Sequence, residues 1–94
     1  MMLRHTNHSK LRSVHRCLSD EDIEYVYEYG TRIHSGGALV YYLRDRDIPL
    51  QDQRFDWAVR LAGTALVVSR DSRTLLTVWR NRQNGLKIIK RKTH

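Results

Sequence analysis

The stretch Leu18-Ser19-Asp20-Glu21-Asp22-Ile23 commits the chain to a helix at a definite place. Ser19 can cap the first turn, Asp22 stands in capping-box position, and Leu18 with Ile23 forms an apolar staple across the cap. Asp20, Glu21 and Asp22 also face the positive end of the helix dipole. Ile23, Val26 and Tyr27 continue one apolar side, and Gly30 is the expected left-handed stop, so the helix covers about residues 20–29. These acids are read as caps rather than as a catalytic carboxylate cluster.

Upstream, residues 1–7 read as a ragged lead. Leu11, Val14 and Leu18 then recur three and four residues apart, the spacing of one helix side. At about 100° per residue, His8 and His15 fall on the border of that stripe, while Arg12 and Arg16 lie further toward solvent. An imidazole on such a border can be oriented by packing and still reach a ligand. Two N-terminal helices are therefore expected.

After Gly30 the period changes from helix to strand. Thr31–Ser35 and Ala38–Leu43 flank Gly36-Gly37, which supplies the positive φ values of a tight hairpin turn. Residues 44–57 alternate charges around Pro49 and read as a long surface loop, with Phe55 and Trp57 folding its far end back onto the core. Leu61–Ser69 is a second β-rich run, with Gly63 marking a bulge or bend. The turn Arg70–Arg73 leads into Thr74–Trp79, where alternation puts Thr74, Leu76 and Val78 on one face and Leu75, Thr77 and Trp79 on the other. Leu86–Ile89 is a short edge-strand candidate, and residues 90–94 form a basic tail expected to fray. The layout is one α+β domain over residues 1–94, with helices packed on a four- to five-stranded, mainly antiparallel sheet.

No apolar run approaches the roughly 20 residues that span a bilayer, and Arg and His interrupt the N-terminal stretch where a signal peptide needs apolar continuity. Cys17 is the single cysteine, so no intramolecular disulfide forms, and a cytoplasmic setting is expected. His5 and His8 are three apart, but no cysteine or acid completes a ligand set, so neither a metal nor a cofactor is expected. The net charge of +7 is unevenly spread: residues 1–19 and 72–94 contain no acid. Lys10 and Arg16 at one end, with Arg82 and Lys87 at the other, are candidate nucleic-acid contacts if the ends meet in space. An ordinary solvated surface is the alternative. Trp79, Tyr41 and Tyr42 are candidates to stack bases, or else sheet residues packed in the core.

The run His8-x3-Arg12-x3-Arg16-x-Leu18-Ser19-x2-Asp22-Ile23, with Thr77-Val78-Trp79-Arg80 near the other end, resembles a family of small bacterial domains of unknown function, number forty-two fifty-eight. The likeness covers residues 8–30 and 61–81 and departs at Cys17, where the family has glycine, and through the insertion Arg44–Trp57. It implies a fold grouped with RelE-like and barnase-like ribonuclease toxins, two helices before a curved antiparallel sheet. It also implies RNA as substrate and an acidic antitoxin-like partner.

Metal-independent RNA cleavage needs a base for the 2′-OH, an acid for the leaving 5′-oxygen and cations at the phosphate. Histidine titrates in the right range, and arginine's planar fork suits phosphate. His8, Arg12 and Arg80, with Thr77 as a hydrogen-bonding partner, are the candidate catalytic set, and His15 and His34 are further candidates. The alternative is a non-catalytic module on the same fold that binds nucleic acid or protein.

Overall fold

Ser19 caps its helix as expected in the computed structural model, which describes residues 4–5, 18–71 and 73–80. The Asp22 N–H donates to Ser19 Oγ at 3.1 Å, and the Ser19 N–H donates to Asp22 Oδ2 at 3.0 Å. Helix α1 runs Asp20–Tyr29 and buries Ile23 and Val26. The first helix expected over residues 8–18 lies, apart from Leu18, outside the described residues, as do the Leu86–Ile89 edge strand and the tail.

Gly30 ends α1, but not by a left-handed turn. Its φ is −66° and ψ 152°, an extended conformation, and its N–H still donates to the Val26 carbonyl at 2.8 Å. Glycine is needed here for space. A Cβ at this position would lie 2.5 Å from the Val26 carbonyl oxygen and 3.4 Å from backbone carbons of Tyr41 and Tyr42. The helix end is pressed against a strand.

Strands β1 (Arg4–His5), β2 (Thr31–Ser35), β3 (Ala38–Tyr42), β4 (Thr64–Ser69) and β5 (Thr74–Arg80) form one sheet in the order β1-β5-β4-β3-β2. β2 to β5 are a four-stranded antiparallel meander, and β1 pairs with β5 in parallel. The lead thus contributes a strand at Arg4–His5 where a ragged start was expected. The Gly36-Gly37 turn has φ values of 55° and 82°, as the two-residue hairpin requires.

The 44–57 segment is built rather than looped. It forms 3-10 turns at Asp45–Asp47 and Leu50–Asp52, and a short helix α2 (Asp56–Val59) begins before it ends. Ile48 within it and Ala58 just beyond it, in α2, are buried in the core, whereas Phe55 and Trp57 stay 38% and 43% exposed. The expected anchors are therefore replaced by smaller residues that fit beneath the turns. Asp47 secures the segment: it accepts from Thr31 Oγ1 at 2.9 Å, the Arg44 N–H at 3.0 Å and the Arg44 guanidinium at 3.1 Å.

One face of the sheet carries α1, whose Ile23 and Val26 join Leu66, Val68, Leu75 and Val78 in the main core. The other face gathers Val40, Tyr42 and Ala65, with Ile33, Val67 and Trp79 packed beside them. The strand alternation expected in β5 is broken. Val67 pairs with Thr77 but Val68 with Leu75, so Leu76 is the extra residue of a bulge. Leu75, instead of Leu76, joins Val78 in the main core, leaving Leu76 38% exposed. Gly63 makes only a bend, since the ladder irregularity lies on β5. No helix among the described residues is long and apolar enough to cross a membrane.

Two tests follow from this packing. Gly30→Ala is expected to cost about 2 kcal/mol through overpacking against backbone, and Gly36→Ala about 1 kcal/mol through its positive φ alone; thermal or urea unfolding of both variants measures the difference. For Asp47, burial raises the carboxyl pKa, but the Arg44 and Thr31 hydrogen bonds and the Arg44 charge outweigh it, and the net shift is downward. A carboxyl lowered on folding stabilises the fold above its unfolded-state pKa, and this is lost as pH falls through the folded value. Asp47→Asn should therefore be less stable than wild type at pH 7, and urea midpoints of the two should converge below about pH 4.

Candidate functional site

The expected catalytic set is divided by the pleat of β5. Thr77 pairs with Val67 and Trp79 with Ala65, both on the face away from α1. Arg80 pairs with Thr64, which alternates with Leu66 and Val68 onto the α1 face. Thr77 and Arg80 therefore leave the strand on opposite faces, Thr77 half-buried and Arg80 exposed. They do not form two walls of one cleft. His8, Arg12, Lys10, Arg16, Arg82 and Lys87 lie outside the described residues.

The ends of the chain are nonetheless related through the sheet. Arg4 is opposite Thr74 and His5 opposite Leu75, in parallel. The chain continuing from His5 and the chain continuing from Arg80 thus leave adjoining strands that run in the same direction. Charge is partitioned accordingly. The described residues hold nine of the seventeen Lys and Arg and all ten acids, so the remaining eight bases, in the undescribed segments near the two ends, account for the excess.

Of the two readings of Tyr41 and Tyr42, base-stacking platforms or packed sheet residues, the structure shows packing. Tyr42 is 4% exposed with its ring centroid 6.2 Å from that of Trp79, and Tyr41 lies 4.6 Å from Tyr27 on the opposite face. Alternation along β3 separates the two tyrosines, so they cannot make one stacking surface.

Where α1 meets α2, the structure assembles an open aromatic cluster that the sequence reading overlooked. The Tyr25 ring lies 4.7 Å from Tyr29, one turn along α1, and 5.2 Å edge-on from Trp57. Phe55 stacks on Trp57 at 5.9 Å. Tyr25 is fixed by its hydroxyl, which donates to Asp52 Oδ2 at 2.7 Å. Burial, then the Asp52 hydrogen bond and charge, hold the Tyr25 phenol above its ordinary pKa. A hollow of about 390 Å³ opens beside it, lined by Glu21, Asp22, Tyr25 and Trp57. A second, of about 370 Å³, runs along α1 past Glu24 and Glu28. The i, i+4 pair Tyr25–Tyr29 was a visible signal for half of this cluster. The Phe55–Trp57 half was hidden because its segment has no simple period.

Among the described residues, no group of three or more His, Cys, Asp or Glu side chains could hold a metal ion. No family model, curated protein or solved structure matches this chain, so the resemblance to a family rests on its motif residues.

Tyr25→Phe keeps the ring and removes the bond to Asp52. The expected loss is about 1 kcal/mol of stability, measured by urea unfolding, with Asp52→Asn largely non-additive to it because the two share one bond.

Proposed function

We propose that this chain binds RNA through its two acid-free ends and cleaves it without a metal, in the manner of the ribonuclease toxins that its motifs resemble. The observation that supports the reading is the parallel β1–β5 pairing, by which the chain after His5 and the chain after Arg80 continue from adjoining strands in the same direction. Eight bases without an acid among them then form a strong field for a polyanion. The finer architecture belongs to the same proposal: a first helix over residues 8–18 ahead of α1, giving the RelE-like order of two helices and a sheet.

His8 follows His5 by three residues, a contour of at most about 11 Å, so it has the reach to lie beside β5. In this arrangement His8 takes the 2′-OH proton as the 2′-oxygen attacks phosphorus. The 5′-oxygen leaves with a proton drawn from solvent, and Arg12 and Arg80 share the charge that builds on the phosphate. Arg80 is preferred to Thr77 as the strand's contribution because it is exposed, while Thr77 is half-buried on the other face. Lys10, Arg16, Arg82 and Lys87 hold the backbone of the RNA by charge. An acidic partner chain covering the same edge would block it.

The test is RNA cleavage by the purified chain in a chelating buffer. His8→Ala should abolish it with the fold intact by circular dichroism, Arg80→Ala should slow it about 100-fold, and Thr77→Val should leave it within about threefold. Full turnover by His8→Ala sinks the enzymatic reading. Binding whose logarithmic salt slope is near −3, about four phosphates on a single strand, without cleavage would identify the non-catalytic module instead.

A further inference from the structure

On the sheet face away from α1, burial exceeds what the neighbouring strands supply. Two cross-strand rows make that face, Ile33–Val40–Val67–Thr77 and Thr31–Tyr42–Ala65–Trp79. They are covered at the centre and open at the margins. Val40 and Tyr42 are each 4% exposed and Ala65 is fully buried, while Ile33, Val67, Thr77 and Trp79 are half-buried. Ala65 has a local reason: the Tyr42 and Trp79 ring centroids are 6.2 Å apart across it, closer than the two-strand spacing of about 10 Å between their backbones. Val40 and Tyr42 have none. A side chain standing off an open sheet is flanked by its neighbours but keeps its outer side in water, and every described member of this cluster is a strand residue. The described helices serve the opposite face, where α1 packs across β3 and β4 and Ala58 of α2 joins the same core.

The burial belongs to a single chain, so its cover comes from that chain, and three segments are candidates. Residues 1–3 precede β1, which lies three strands from β3, about 14 Å away and beyond the roughly 11 Å that three residues reach. Residues 6–17 must arrive at Leu18, which packs beside Ile23 and Val26 in the core on the α1 face. Leu11 and Val14, in helical step with Leu18, belong with it there. Residues 81–94 carry three apolar side chains, Leu86, Ile88 and Ile89, directly behind the turn signal Asn84-Gly85. This segment follows Arg80, whose neighbour Trp79 stands in the same cross-strand row as Tyr42, two strands away. That span is about 10 Å, and the five residues 81–85 extend to about 17 Å. Leu86 has the reach.

We infer that residues 86–89 fold back as a strap onto the sheet face away from α1, seating Leu86, Ile88 and Ile89 over Val40, Tyr42 and Trp79. The strap closes the Tyr42–Trp79 face to stacking ligands. It also brings Lys87 and the bases Lys90, Arg91 and Lys92 back over the sheet, so that a polyanion meets this end as a fixed basic patch. The strap does not rest on RNA binding, and its tests contain no RNA.

Through-space proton contacts in the isotope-labelled full chain give the direct test. Methyl protons of Leu86, Ile88 and Ile89 should contact the Tyr42 and Trp79 rings and the Val40 methyls. Absence of these contacts overturns the inference. So do contacts of the same rings with Leu11 and Val14, or contacts found only between differently labelled chains, which would make the cover a second copy. An optical test uses Trp57→Phe as background, leaving Trp79 the single tryptophan. Ile88→Ser/Ile89→Ser should there move Trp79 emission to longer wavelength and raise its quenching by acrylamide about twofold, as the half-buried ring becomes exposed. Unchanged emission and quenching in a variant with wild-type circular dichroism overturns the strap. Should the double variant not fold, the proton contacts of the wild-type chain decide alone.

Discussion

At Gly30 the carbonyl of Val26 and the backbone of Tyr41 and Tyr42 close in on a single Cα, leaving no room for a side chain. That approach brings the end of α1 against β3, the second strand of the meander. It sets the depth at which Ile23 and Val26 enter the core formed by Leu66, Val68, Leu75 and Val78. Chain direction reverses at once into β2, whose Thr31 hydroxyl reaches Asp47. The 45–52 turns are then held by Asp47 and Arg44, and Ile48 seals them from below. Helix, hairpin and turns thus depend on one another through short polar and backbone contacts, while the apolar residues supply the bulk of the burial.

This arrangement separates the molecule's charge. The described body balances nine bases against ten acids, and the acids gather on α1 and the turns that follow β3. The excess positive charge belongs to segments that continue from β1 and β5, at the opposite edge of the sheet from β2.

Elements governed by local rules were legible. The Ser19–Asp22 capping box and the Gly36-Gly37 hairpin each depend on residues within a few positions of one another, and both form as expected. Where a residue serves a distant contact, local reading misjudged it. Gly30 looked like a left-handed stop but is extended, held between the Val26 carbonyl, which an added Cβ would meet at 2.5 Å, and the backbone of β3 at 3.4 Å. Phe55 and Trp57 looked like anchors because they are large and apolar, yet Ile48 and Ala58 take that place and the rings meet Tyr25 instead. The alternation of Thr74–Trp79 failed at Leu76 because a bulge is a property of two paired strands.

From its residues alone the chain was committed to a capped acidic helix, a glycine hairpin, an α+β order and two acid-free ends, since each follows from spacing, turn chemistry or charge along the chain. Tertiary structure decided which faces those residues occupy. It put Thr77 and Arg80 on opposite sides of β5, laid Arg4–His5 beside Thr74–Leu75, and brought Tyr25 against Trp57 from more than thirty residues away. Pairing register and packing depth are relations between segments, and they come into being only when the segments meet.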